Sequence, residues 1–406
     1  MHEAPRLPRV LRGLHPKAPN RFRPELPRPW GPGGEGVSAL REQVRAFASA
    51  AESALEAAPD EATAARLALE LLASEDLLKH AVSAPGGDPV PVVALCDVRY
   101  ELARSSGMLD VMFAMQGLGT CPLALGGSPD QREGVLPGVL AGTDVAAFAL
   151  TEPEAGSDLS GVSTRAEATS GGWVLNGHKT FISNATLADV YTVLARTAGE
   201  PGDKEGLSMF IVRGDAPGIR VEGFEVMAPH PIGDVYFSDV ELGAGALIGD
   251  EGAGMALALG TLGHFRTSVA AAACGMARRA LDESLNHLRT RQQFGRPLSS
   301  FQGLRMDLAE MDTRLRAAEL LVNEAAEAVG RGKTAVCEVA RAKLFATETA
   351  GWICDRAVQH LGGLGVKRGQ IVERLYREVR ALRIYEGTSE VQKLILAKAA
   401  LENADS

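Results

Sequence analysis

Residues 145–158 read VAAFALTEPEAGSD. Here the hydrophobic pattern changes period, and that change decides the fold. From Val145 onward the segments VAAFALTE, WVLNGHKTFIS, DVYTVLART, LSMFIVRG, IRVEGFE and DVYFSDVEL follow one another, short, β-branched and separated by Gly, Asn and Asp. Such punctuation predicts antiparallel strands. Upstream, apolar residues recur at three- and four-residue spacing over 38–57, 60–80 and 93–105, which predicts helices. Ser128-Pro129-Asp130-Gln131 opens a further helix, with Ser as N-cap, Pro in the first turn and Gln closing a capping box. Downstream, strand signals vanish and helices are expected over 254–291, 299–329, 334–361, 371–382 and 389–402.

The order is helical, β, helical. The expected fold class is a multidomain α+β protein: an Arg/Pro-rich arm and linker over 1–36, an N-terminal helical domain over 37–143, a middle antiparallel β-barrel or sandwich over 144–250, and a C-terminal helical bundle over 251–406. The arm's prolines forbid a long amphipathic helix, so it is read as a surface arm rather than a transit peptide.

The chain has 406 residues, a net charge of -9 and a pI near 5.5. That balance argues against nucleic acid or an anionic membrane as partner. Five cysteines without a CxxC pair argue against a disulfide framework and for a reducing, cytoplasmic compartment. No apolar run reaches about 18 residues free of charges and breakers, so no membrane span is expected. Dispersed histidines and the lack of HExxH give no metal site. Neither a phosphate-binding GxxxxGK[ST] loop nor a GxSxG nucleophile elbow occurs. Gly31, Gly33 and Gly36 fit G-x-G-x-x-G, but no strand precedes them, and a linker is the reading.

Several segments remain, each with an ordinary explanation when taken alone. FALTEPEAGSDLSG (148–161) leaves a strand for a loop of small residues, whose backbone N–H groups can approach a ligand. In WVLNGHKTFISN, Asn176-Gly177 reads as a hairpin turn ahead of Phe181 and Ser183. RTRQQFGRPLSSFQ (289–302) joins two helices and offers Arg291 for a phosphate and Phe294 for an aromatic ring. QHLGGLG (359–365) reads as a helix ending on glycine. In RIYEGTSEVQ (383–392), Glu386 stands between Tyr and Gly just before a helix that Ser389 and Gln392 would open as a capping box.

Taken together and in this order, the TEPEAGSD loop, NGHKTFISN, RxQFGxP followed by FQ, QHLGGLG and IYEGTSEVQ resemble the acyl-CoA dehydrogenase family over about residues 128–401. The resemblance implies a helical domain, a β-domain and a C-terminal four-helix bundle, with FAD as cofactor. It implies that Phe148, Leu150 and Thr151 line the flavin's pyrimidine edge, that Phe181 stacks near the isoalloxazine, and that the Ser183 hydroxyl reaches N5. It sets Ser157 between cofactor and substrate, and Arg266 and Gly387 beside the substrate. Arg291, Phe294 and Gln302 resemble residues that hold the FAD of a neighbouring subunit, with Gln359, Gly362 and Gly363 on its adenosine diphosphate and Thr388 and Glu390 as further FAD contacts. Such sharing implies a homo-oligomer, a tetramer built as a dimer of dimers. Glu386 occupies the position of the base that removes the α-proton of an acyl-CoA thioester; electrons then pass to an electron-transfer flavoprotein.

The sequence also departs from the family pattern. Gly263 stands where many members carry an acidic residue, three places before the arginine matched by Arg266; this leaves acyl-CoA and acyl-carrier-protein thioesters both open. Phe181 replaces a common tryptophan. A flavin oxidase or monooxygenase of the same fold is the alternative enzyme, and Glu386 favours α-proton abstraction over hydroxylation. A DNA-associated relative would need a basic face, against the net charge.

Overall fold

The computed structural model describes residues 38–332 and 335–404. The arm and the Gly31, Gly33 and Gly36 linker, like the expected helix start at Thr334, lie outside the described residues. The chain gathers into two compact units, each threaded more than once.

The first unit contains Ala54–Pro91 and Val111–Gly263. Helix α2 (Glu61–Ser74) starts at Asp60, whose side chain accepts the Thr63 N–H at 2.8 Å. Helix α5 (Pro129–Leu140) starts with the expected capping box: Ser128 Oγ accepts the Gln131 N–H at 3.2 Å and Gln131 Oε1 accepts the Ser128 N–H at 2.8 Å. Helix α4 (Gly107–Gly126), most of it in this unit, was not foreseen. It is apolar nearly all round, so it carries no 3.6-residue signal, as befits a core helix. By length and composition it is apolar enough to cross a membrane, yet 78% of that window is buried inside the protein. A β-carbon on Gly119 would lie 2.7 Å from Ala146 Cβ, so glycine permits α4 to touch the sheet. Gln116 completes the joint, donating to Asp144 O at 2.8 Å and accepting from Ala146 N–H at 2.7 Å.

The sheet has eight strands: β1 (Ala146–Ala149), β2 (Arg165–Thr169), β3 (Gly172–Ser183), β4 (Val190–Arg196), β5 (Leu207–Arg213), β6 (Ile219–Gly223), β7 (Ile232–Gly243) and β8 (Leu247–Ile248). Their order is β6-β7-β3-β2-β4-β5-β8, with β1 also on β4. Most pairs are antiparallel, as expected, but β1 and β2 both pair with β4 in parallel, so the sheet is mixed. All six predicted strands form. Strand β2, RAEAT, escaped prediction because three of its five residues are exposed and no alternating apolar pattern marks it. Asn176-Gly177 is not a hairpin turn: both residues lie within β3, at a bulge against β7. Thr164 fills the place a Gly177 side chain would take, at 2.3 Å, so the glycine serves close packing.

Arg196, fully buried at the end of β4, has no carboxylate partner among the described residues. Its guanidinium donates to the carbonyls of Ser160 and Val162 on one loop and of Ala198, Asp203 and Glu205 on another.

The second unit contains residues 38–53, Val92–Asp110 and the chain from His264 on. It holds most of α1 (Ala39–Glu56) and α6 (Gly254–Thr290), with α3 (Val92–Ser105), α7 (Gln302–Gly330), α8 (Val336–Leu361), α9 (Ile371–Ala381) and α10 (Ser389–Ala404). A hairpin, β9 (Gln292–Gln293) and β10 (Arg296–Pro297), joins α6 to α7. Its core is rich in alanine, Ala270 to Ala273 among them, and small side chains bring the helix backbones close. One such approach is at Gly275, where a β-carbon would meet Tyr100 O at 2.1 Å. Buried ion pairs join the elements, including Arg41 and Arg45 on Glu101 and Arg99 on Asp110.

Candidate active site

The expected site residues divide between the units. In the second, α9 ends before the loop carrying Tyr385, Glu386 and Gly387, and α10 begins at Ser389. Glu386 has φ +54 and Gly387 φ +93. A left-handed glutamate is uncommon, and such strain persists only where the surroundings impose it. Here they do. Lys343 Nζ on α8 donates to Tyr385 O at 3.0 Å and to Gly387 O at 2.6 Å, and Arg266 Nε on α6 donates to Glu386 O at 2.7 Å. Gln392 Nε2 adds a bond to Gly387 O at 3.0 Å. Glu348 on α8 fixes both loop ends, accepting from Arg383 and from Ser389 Oγ, each at 2.6 Å. Ser389 therefore does not form the expected capping box with Gln392: its hydroxyl is spent on Glu348. Thr388 Oγ1 instead accepts the Val391 N–H at 3.3 Å and caps α10.

The carboxylate itself is left uncommitted. Glu386 Oε2 is enclosed and has no hydrogen-bond partner. Among the described residues, its backbone N–H also donates to no protein acceptor. Burial pushes its carboxyl above the ordinary range; Arg99, Lys343 and Arg266 oppose the shift, and Asp110 adds to it. Arg99 is itself locked, with Nε and Nη2 each 2.8 Å from an Asp110 oxygen and Nη1 3.0 Å from Ser268 Oγ. An enclosed, strained carboxyl with a raised pKa and a cationic background has the properties of a general base.

In the first unit, the TEPEAGSD loop is anchored from below. Glu152 accepts from Ser163 N–H at 2.7 Å, Ser163 Oγ at 2.6 Å, Thr164 N–H at 3.0 Å and Lys179 Nζ at 2.7 Å. Lys179 also donates to Leu150 O at 2.9 Å. Burial works against the Glu152 carboxylate, but Lys179 and these donors hold it down to about 2. Thr151 and Ser157 thus sit on a pinned loop; Phe148 and Leu150 precede it on and just after β1. The β3–β7 register shifts between Lys179 and Ile182, and Phe181, at φ +53, is turned outward with 62% of its surface exposed. It meets Phe224 edge-on at 5.2 Å. Ser183 Oγ lies 3.2 Å from His230 Nε2, and burial lowers the His230 pKa, so a neutral imidazole orients the hydroxyl.

The remaining expected residues are in the second unit. Arg291, Phe294 and Gln302 are exposed; Phe294, 91% exposed, tops the β9–β10 hairpin with Gly295, both left-handed. Gln359 and Gly363 are exposed around the end of α8, which Gly362 terminates at φ +59. Glu390 is exposed in the first turn of α10.

Lys343, Arg99, Asp110, Glu348, Lys179, Glu152 and His230 were not singled out from the sequence. For Lys343 a signal exists: it falls on the apolar stripe of α8 with Val339, Ala346 and Ala350.

The chain matches the family descriptions "Acyl-CoA dehydrogenase, N-terminal domain" over residues 35–143, "middle domain" over 147–240 and "C-terminal domain" over 252–401. It is 38% identical to the 3-(aryl)acrylate reductase of Clostridium sporogenes, over 78% of this chain and 85% of that one. It is 37% identical to the caffeyl-CoA reductase-Etf complex subunit CarC of Acetobacterium woodii, over 78% and 84%. Butyryl-CoA dehydrogenase from Megasphaera elsdenii superposes with a TM-score of 0.82 at 30% identity, over 90% of this chain and 99% of that one. The chain belongs to the acyl-CoA dehydrogenase family of FAD-dependent oxidoreductases.

Proposed function

We propose that this chain oxidises the Cα–Cβ bond of an acyl-CoA thioester, with Glu386 as the base. The observation that carries the reading is the enclosed Glu386 Oε2, partnerless on a strained peptide backed by three cations. Oε2 takes the α-proton. The Glu386 N–H, free of protein acceptors among the described residues, is available to the thioester oxygen as negative charge develops there. Arg266 and Lys343 hold the peptides around the base in place through the turnover. Thr151, Ser157, Phe181 and Ser183 would hold the flavin ring; Arg291, Phe294, Gln302, Gln359, Gly362 and Gly363 would hold the FAD of a neighbouring subunit, with Thr388 and Glu390 as further FAD contacts. When bound, FAD supplies the acceptor for the hydride that leaves the β-carbon, which makes the product a trans-2-enoyl thioester.

The reading extends to an electron-transfer flavoprotein as electron acceptor, in keeping with the name of the Acetobacterium relative. It also extends to a homotetramer in a cytoplasmic, reducing compartment, serving fatty acid metabolism; free, mostly buried cysteines support the compartment. An acyl-carrier-protein thioester is the second reading, favoured by Gly263, where no acid stands.

The test is anaerobic bleaching of the yellow holoprotein with acyl-CoA and acyl-carrier-protein panels. Glu386→Gln should keep its FAD and bleach about 10²–10⁴-fold more slowly. A colourless protein, or a fully active Glu386→Gln, defeats the assignment. Oxygen consumption by the same protein and substrates in air-equilibrated buffer identifies an oxidase.

A further inference from the structure

We propose that Lys343 is a positioning residue for Glu386, its ammonium clamping the peptides on both sides of the base so that the left-handed turn presents the carboxylate. The inference rests on the reading of Glu386 as base.

Lys343 is fully buried on the apolar stripe of α8, where an aliphatic side chain would pack without desolvating a charge. Among the described residues its direct hydrogen bonds include none to a carboxylate. Its bonds go to two neutral carbonyls, Tyr385 O and Gly387 O, the neighbours of Glu386 on either side. Burying an ammonium whose direct bonds go to neutral carbonyls rather than to a carboxylate is costly, and stability alone gives no reason for it. What the arrangement achieves is local. With Arg266 on Glu386 O, three successive carbonyls are turned toward cations, and a backbone so held has one way to place the intervening side chain. Gln392 reaches only Gly387 O, so without Lys343 the Tyr385 carbonyl has no side-chain donor.

The clamp also acts through its field. The charged groups that face Glu386 are Arg99 from α3, Lys343 from α8, Arg266 from α6 and Asp110 from α4. Those around Lys343 are Glu386, Arg266, Glu348 and Glu390. A positive Lys343 favours the carboxylate form of Glu386. Removing that charge raises the pKa of the base, and the acid limb of kcat, which requires the carboxylate, moves to higher pH.

Three variants of the FAD-loaded enzyme separate geometry from field. Lys343→Met removes donor and charge, Lys343→Gln keeps an uncharged N–H donor, and Lys343→Arg keeps both. Turnover is followed with a dye acceptor on a panel from butyryl-CoA to palmitoyl-CoA, using whichever bleaches the wild type fastest. We expect Lys343→Met to lose roughly 10–100-fold in kcat, the scale of a misplaced catalytic group, with FAD content unchanged and KM shifted far less. The acid limb should move upward in Lys343→Met and Lys343→Gln and return in Lys343→Arg. Amide exchange over residues 383–389 should rise in Lys343→Met, a readout independent of turnover. If Lys343→Met does not fold, the Lys343→Gln and Lys343→Arg pair decides. A Lys343→Gln enzyme with wild-type kcat and an unmoved acid limb overturns the proposal. Glu386→Gln runs beside them: if it turns over normally the base assignment falls, whereas an inert Glu386→Gln with wild-type Lys343 variants removes only the clamp.

Discussion

Lys179→Met offers a sharp test of how the β-unit carries its ligand loop. In the wild type, Glu152 is 4% exposed and Lys179 fully buried, 2.7 Å apart. The substitution leaves Glu152 with Ser163 and Thr164 as donors but strands its charge, and Leu150 O loses a donor. Removing one partner of a buried pair costs about 3–5 kcal/mol. The acid titration gives a compatible figure. Glu152 is held at about 2 against an ordinary 4.5, and that gap corresponds to about 3 kcal/mol. Because the folded pKa is depressed, this contribution is present above about 4.5 and lost as pH falls toward 2. Thermal melts at pH 7 should show a fall of roughly 6–20 °C, with a flatter dependence on acid than the wild type. FAD content should fall too, since Thr151 and Ser157 ride on the anchored loop. A Lys179→Met protein that melts within a degree or two of wild type at pH 7, with the same acid sensitivity, would refute the argument.

Two further outcomes follow from individual residues. Burial pushes the Glu378 carboxyl, beside Gly107 at the start of α4, up to about 7; its folded pKa is raised, so its contribution is full below about 4.5 and lost as pH rises through 7. Glu378→Gln should therefore stabilise the protein at pH 8.5 by about 2–3 kcal/mol and have little effect at pH 5, as read from urea midpoints. Gly275→Ala drives a methyl against the Tyr100 carbonyl, 2.1 Å from its ideal position, and should cost about 1–3 kcal/mol in urea denaturation; an unchanged midpoint means that α3 and α6 are not in close contact there.

Much of this architecture was legible because it is written in local periods. The six strands each carry their own apolar signal, and Ser128 and Gln131 announce α5 within four residues. Helix α4 was hidden for the opposite reason: a helix surrounded by core has no polar face to give it a period. Asn176-Gly177 misled because the glycine answers to Thr164, twelve and more residues away, rather than to a turn. Ser389 misled because Glu348 on another helix claims its hydroxyl. Glu386 was found through the motif around it, while its left-handed backbone is imposed by Lys343 and Arg266 bonds that join residues 42 and 120 positions distant. Such pairings leave only indirect traces, of which a lysine on an apolar stripe is one.

Arg196 has a consequence for anyone altering this protein. The stretch 197–206, polar and largely exposed, looks like a place to splice a tag or lengthen a turn. Yet the guanidinium that holds its carbonyls is the same one that holds Ser160 and Val162, a few residues past TEPEAGSD. An insertion at the outer turn would be felt at the ligand loop, because both segments hang on the one guanidinium.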